Sequence, residues 1–256
     1  MFLTRPVFSV RADVPDKRDL ICKFSGSGLG DVKSTVDLRK WCSPIEDQLN
    51  LGSCVGQAIV GAYELMLNKF YPNKFIDLSR LFVYYNARLI DGPEYLDEDV
   101  GTYIRSGIKS VQKWGVCAET VWPYLVENFD DAPSIQSYED AEQRIIKKYY
   151  RVIGNDNIVH ALNNEYPVII SIYVYENFYD LENSNQSTLT PPNNSKFMGG
   201  HAVTIVGYDL DKRLFLVRNS FGENWGDKGY FWMPFDYAEA ELLDSWIFDI
   251  EIDHDK

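Results

Sequence analysis

The hydrophobic period of this chain changes partway along, and that change limits the fold more than any single residue does. From Cys54 the apolar positions Val55, Ile59, Ala62 and Met66 recur at spacings of four, three and four, with Pro72 beyond them. That spacing predicts an amphipathic helix over 54–69. Ser79 is placed to cap a second helix running to about Ile90, with Gly92 after it. Thr102 is placed to cap a third, with Ile104, Ile108 and Val111 on one face and Gly115 as its stop. After a further helix expected at 138–148, the pattern becomes that of strands. The runs "YYRVI", "VIISIYVY", "HAVTIVGY", "RLFLVRNS", "GYFWM" and "SWIFDIEI" are rich in β-branched and aromatic residues. Helices first and an antiparallel sheet second predict an α+β chain. The expected division is a mainly helical lobe over 35–125 and a mainly β lobe over 126–256. A chain of 256 residues, 45% hydrophobic, can build one sizeable core or two lobes sharing a cleft.

Residues 1–34 differ in composition from the rest of the chain. They are rich in charge, Gly and Ser, and read either as a disordered leader or as a short strap laid over a cleft. The strap reading rests on the apolar islands Val7, Phe8, Leu20, Ile21 and Phe24 and on Cys22 as a partner for another thiol. A polar loop over 180–200 is too long for a simple turn. The formal charge of −13 repels phosphate backbones and anionic surfaces, so neither nucleic acid nor membrane is expected as a partner. No secretory signal or membrane span is recognisable, which makes the cytoplasm the default expectation. Four scattered cysteines without a CxxC pair support neither a disulfide framework nor a zinc site, and no metal or cofactor is expected. Cys42 and Cys117 are expected as reduced core thiols rather than a mutual disulfide.

Cys54 opens the first expected helix, just after Gly52 and Ser53, where unpaired N–H groups and the helix dipole stabilise a thiolate. A buried core thiol is the alternative. A nucleophile needs a base, and the chain has three histidines. His254 lies near the C-terminus, where ends fray. His160 falls in a short expected helix, "NIVHALNNE". His201 opens a strand after Gly199 and Gly200, which let a backbone or substrate come close. The strand returning through "RLFLVRNS" brings Asn219 near His201, where an amide can orient the imidazole. Gln48, six residues before Cys54, can donate a side-chain N–H to an oxyanion alongside the Cys54 N–H.

The segments "DQLNLGSC", "GGHAVTIVGY" and "RNSFGENWGDKGYFWM" resemble those of papain-like cysteine peptidases, and the similarity runs from "VDLRKWCSPIEDQ" through "WGVCAETVWPY" to the last strand. Even "RADVPDKRDL" is similar to the short N-terminal segments of bacterial-type members. The resemblance implies a two-lobed α+β fold with a cleft between the lobes, a peptide or protein substrate, and a proteinaceous inhibitor or the chain's own N-terminal segment in the cleft. By resemblance, Cys54 is the nucleophile, His201 the general acid and base, Asn219 the orienting group and Gln48 the oxyanion-hole residue. Trp225 matches the tryptophan that shields the asparagine side. Gly101, Ser171, Gly199, Gly200 and Ala202 would lie along the substrate cleft.

Three positions depart from the resemblance. Val55 stands where an aromatic residue is usual and Phe221 where a tryptophan is, which predicts looser or wetter packing around the His–Asn pair. Leu51 replaces a cysteine and so removes a disulfide common in secreted relatives. The expected reaction is peptide hydrolysis through a Cys54 thioester. Transfer of the acyl group to an amine, as in peptide ligation, and a peptide-binding protein with little catalysis are the alternatives.

Overall fold

A computed structural model of the chain describes residues 7–22, 24, 32–183 and 187–250. Seven strands form one sheet: β1 (Thr35–Asp37), β2 (Ile146–Arg151), β3 (Val168–Tyr175), β4 (Phe197–Asp209), β5 (Leu214–Arg218), β6 (Tyr230–Pro234) and β7 (Leu242–Ile250). Their order is β2-β7-β3-β4-β5-β6, all antiparallel, with β1 added to the far end of β4. The helices are α1 (Cys54–Phe70), α2 (Arg80–Asp91), α3 (Ile104–Trp114), α4 (Ile135–Ala141), α5 (Asn155–Asn163), α6 (Asp180–Asn183) and α7 (Phe235–Glu241).

Alternation along the strands decides which core each residue enters. Val168, Ile170, Ile172 and Val174 of β3 join Val203 and Ile205 of β4 in a core shared with α5 and α7. Ile169, Ala202, Trp246 and Phe248 face the other way, into a core with Val55, Ile59 and Val60 of α1 and Ile104, Ile108 and Val111 of α3. The helical lobe therefore rests on one face of the sheet, and its longest helix meets the sheet along β4. Thr204 fixes that contact by donating from Oγ1 to the Ala58 carbonyl at 3.0 Å.

Most expected elements form where the sequence places them. Ser79 Oγ accepts the Phe82 N–H at 3.1 Å and starts α2. Thr102 does not cap α3: its Oγ1 donates to Asp91 instead, and the N-cap position falls to Tyr103 with no side-chain cap. The helix expected at 138–148 is displaced. It starts earlier, where Ser134 Oγ accepts the Ser137 N–H, and ends at Ala141. Residues 146–151 are strand β2, because pairing with β7 outweighs the local helical pattern of "AEQRIIKK". The lobes also divide later than residue 125. Ala141 and Tyr138 of α4 pack with Phe82 of α2 and Cys117, and β1, early in the chain, belongs to the sheet.

Candidate active site

Cys54 is the first residue of α1, and the preceding Ser53 does not cap the helix. Its hydroxyl instead pairs with the Tyr124 hydroxyl at 2.6 Å. The N–H groups of the first helical turn thus stay beside the sulfur, where they favour a thiolate. Cys54 is wholly buried, and burial pushes its thiol up to about 11, against the pull of the Ala202, Val55 and Cys54 N–H groups lying on the sulfur.

His201 lies at the start of the central part of β4, opposite Ile172 of β3, and its ring packs among Phe8, Phe178 and Phe221. Its neighbour Ala202, opposite Ser171, faces α1. Nε2 of His201 is 2.8 Å from Asn219 Oδ1. An amide oxygen only accepts, so Nε2 carries the proton and Nδ1 presents a lone pair. Nδ1 is buried and has no hydrogen-bond partner. Burial pushes the imidazole down to about 4, against the opposing effect of the Asn219 bond.

Aromatic rings enclose this histidine. Phe221 stacks on it with centroids 5.0 Å apart, while Phe178 and Phe8 meet it edge-on at 5.8 and 5.3 Å. Trp225 packs behind, 5.6 Å from Phe221 and 5.2 Å from Phe178. The looser or wetter packing expected from Phe221 and Val55 is not found. His201 and Val55 have no exposed surface. Val55 fits because α3 offers Gly107 there, where a Cβ would stand 2.8 Å from Val55 Cγ1. Phe178, beside the loop that follows β3, completes the enclosure that Phe221 alone could not.

Gln48 is buried and bound on every side. Its N–H donates to Ser220 O at 2.9 Å, its Oε1 accepts from Ser220 Oγ at 2.6 Å, and its carbonyl accepts from Tyr124 OH at 2.9 Å. Nε2 donates to Leu51 O at 2.9 Å, which occupies one of its two hydrogens and leaves the other. Sequence reasoning passed over both: Ser220 joins Gln48 to the Asn219 hairpin, and Tyr124 ties Gln48 to Ser53 within the segment that leads to Cys54. Ser220 could have been noticed as the residue following Asn219 in "RNS"; Tyr124 carries no local signal.

The N-terminal segment lies in the cleft. Ser9 pairs in parallel with Gly200, the Val10 N–H donates to Gly200 O at 3.1 Å, and the Arg11 N–H donates to Thr102 O at 3.2 Å. Val10 is buried in the same core as Cys54 and Ala202. Gly101, Gly199 and Gly200 all face this segment: a Cβ on them would collide with the Ser9, Phe8 and Val10 carbonyl oxygens respectively. Gly101 also needs its positive φ of 68°. Of the expected apolar islands, Phe8 is packed on His201 and Phe24 stacks on His160 of α5, while Val7, Leu20 and Ile21 remain exposed. Val10, the residue most deeply seated, was not among them. Ser171 is fully buried between Ala202 and Asp244 in the ladder. His254 lies outside the described residues.

All four cysteines are free thiols, and among the described residues no three His, Cys, Asp or Glu side chains gather as metal ligands would. No described helix is long and apolar enough to cross a membrane.

Residues 32–245 match the family described as papain family cysteine protease. An uncharacterized peptidase C1-like protein of Acanthamoeba polyphaga mimivirus is 35% identical over 262 residues, covering 91% of this chain and 83% of that protein. Cysteine proteinase 1 of Entamoeba histolytica is 29% identical, covering 81% of this chain and 68% of its own length. Among solved structures, xylellain, a cysteine protease from Xylella fastidiosa, superposes with a TM-score of 0.86 at 32% identity, covering 97% of this chain and 99% of that one. Bromelain from Ananas comosus, in complex with the E64 inhibitor, shares the fold at a TM-score of 0.65 and 20% identity, covering 86% of this chain and 100% of that one.

Proposed function

This chain belongs to the papain family of cysteine proteases, and from that premise we propose that it hydrolyses peptide bonds through a thioester on Cys54. The observation that carries the mechanism is the His201 ring. One nitrogen is held by Asn219 and the other is buried without a partner, on a strand whose next residue lies against the Cys54 sulfur. His201 Nδ1 takes the thiol proton, and the thiolate sulfur attacks the substrate carbonyl carbon. The oxyanion is held by the remaining Gln48 Nε2 hydrogen and the Cys54 N–H. His201 returns the proton to the leaving amine as the C–N bond breaks, then takes one from water as the thioester is hydrolysed.

The N-terminal strap holds this machinery at rest. Beneath it the thiol is raised and the imidazole lowered, each chiefly by burial, so both are neutral near pH 7. Removing the strap rehydrates both groups and lets the charged pair form.

Two measurements test these roles. Cys54→Ala abolishes cleavage of a fluorogenic peptide while leaving the circular dichroism unchanged; retained turnover refutes the mechanism. Val10→Asp, which puts a charge into the core that seats the strap, raises the turnover of the full chain by roughly tenfold or more. Unchanged turnover removes the inhibitory role.

A further inference from the structure

The two residues before Cys54 decide where its sulfur points, and no disulfide holds them, because every cysteine of this chain is free. They are held instead by the loop that joins α2 to α3. The Gly52 N–H donates to both carboxylate oxygens of Asp99, at 3.0 and 2.9 Å. We infer that Asp99 is a positioning residue for the Cys54 nucleophile, acting through the Gly52 N–H and locking the Gly52–Ser53 turn to the loop that carries Gly101. The inference rests on the peptidase reading above.

The carboxylate is itself anchored. Tyr84 of α2, fully buried, donates its hydroxyl proton to Asp99 Oδ1, and the same hydroxyl oxygen accepts the Gly101 N–H at 3.2 Å. Arg88, one turn further along α2, lies over the Tyr84 ring at 4.4 Å. Its Nη1 donates to the Tyr95, Leu96 and Glu98 carbonyls at 3.2, 2.9 and 3.0 Å, so the segment leading into Asp99 is fixed to α2. The approach needs a glycine at the other end, because a Cβ on Gly52 would stand 2.9 Å from Asp99 Oδ1. A carboxylate takes strong hydrogen bonds, and two of them here come from one backbone N–H, which suits the contact to hold the turn without a disulfide.

The charge has a second consequence. An anion this close disfavours a thiolate at Cys54, and Asp99 is among the groups raising that thiol. A group placed to ionise the thiol would carry the opposite sign, so Asp99 acts by geometry and works against its own field. Position and charge are therefore separable by mutation. Asp99→Asn keeps an acceptor for Gly52 and removes the charge, Asp99→Ala removes both, and Tyr84→Phe removes the anchor and keeps the charge.

The test uses the full chain with the strap released by Val10→Asp, in the parent and in every variant alike, and follows two readouts: the pH midpoint of Cys54 alkylation by iodoacetamide, and kcat and KM on a fluorogenic peptide. In both Asp99 variants the alkylation midpoint is expected to fall by about half a pH unit. In Asp99→Ala kcat is expected to fall at least about tenfold with KM changed far less, and in Tyr84→Phe kcat falls by a smaller factor with the midpoint unmoved. A midpoint unchanged in Asp99→Asn, together with a kcat in Tyr84→Phe and in any folded Asp99→Ala within twofold of the parent, overturns the inference. Those two conservative variants decide the matter if Asp99→Ala does not fold. Failure of the peptidase reading would look different: with the strap released by Val10→Asp, a chain carrying native Asp99 and Tyr84 would neither cleave the peptide nor alkylate at Cys54.

Discussion

In the proposed mechanism His201 divides its work between two nitrogens, and the division depends on Asn219. The 2.8 Å bond fixes which nitrogen holds the proton and how the ring is turned. The rings of Phe221, Phe178 and Phe8 hold the same imidazole by packing alone. Asn219→Ala leaves that enclosure and frees the ring to rotate, so kcat/KM should fall on the order of 10²-fold in steady-state assays. A loss below threefold would mean that packing alone orients the ring. At this scale the groups proposed to react were legible as candidates, because Gln48, Cys54, His201 and Asn219 sit in local contexts with a chemical meaning: a glycine before a helix start, a histidine after paired glycines, an asparagine on the returning strand. Phe178 and Asp99 were not legible. They meet residues 23 and 47 positions away, respectively, through turns that no local pattern encodes.

At the scale of elements, the strap over 7–22 is the part whose state can change. Beyond Val10 it is held by a cluster of buried charges. The Asp13 N–H donates to Asp244 Oδ2 of β7 at 3.0 Å, and Asp13 Oδ2 accepts the Arg105 N–H of α3 at 3.0 Å. Arg105 also pairs with Asp19 of the strap at 2.6 Å, and Arg151 of β2 lies 3.8 Å from the same carboxylate. Burial, then the neighbouring Asp244, raises the Asp13 carboxyl from 3.8 to about 7, and Arg105 and Arg151 oppose the rise only in part. Asp244 is raised as well, chiefly by burial.

The docked strap therefore binds a proton that the free strap releases. Docking is strongest below about pH 4 and loses up to about 4 kcal/mol as pH rises through 7. In Asp13→Asn the group stays neutral and the strap stays seated. The turnover of the parent chain relative to that variant should rise by tenfold or more between pH 4 and pH 8. A ratio that stays flat across that range excludes the titration. The strap was legible as a possibility from its apolar islands. That Val10 rather than Val7 or Leu20 is seated follows from backbone pairing with Gly200, which turns alternate side chains inward.

At the scale of the whole molecule, the two sides of the cleft are joined by a few polar ties in otherwise apolar contacts. Thr204 reaches α1, Gln48 reaches Ser220, and Arg218 of β5 clamps the segment that leads into the helical lobe. Its Nη1 donates to Ser43 O at 2.6 Å, and its Nη2 donates to Ser43 Oγ at 3.1 Å and to Pro44 O at 2.6 Å. Arg218→Leu leaves these acceptors without a donor in a buried place. The cost should be roughly 2–4 kcal/mol, lowering Tm by about 5–10 °C in calorimetry. A shift below 2 °C would show that water replaces the guanidinium. The α+β class and the helix-then-sheet order were legible from period alone. The position of the division was not, since β1 crosses to the sheet and α4 returns to the helices, both through contacts distant in sequence.

The sequence by itself determined the candidates for the reacting groups, the periods of α1 and the β-rich half, and the glycines that let a main chain approach His201, because each of these is a property of neighbouring residues. Tertiary structure alone decided that residues 146–151 are strand rather than helix, that the strap occupies the cleft, and that the Gly52 N–H meets the Asp99 carboxylate. These depend on which distant groups meet, and on which of two local preferences the burial of a shared surface rewards.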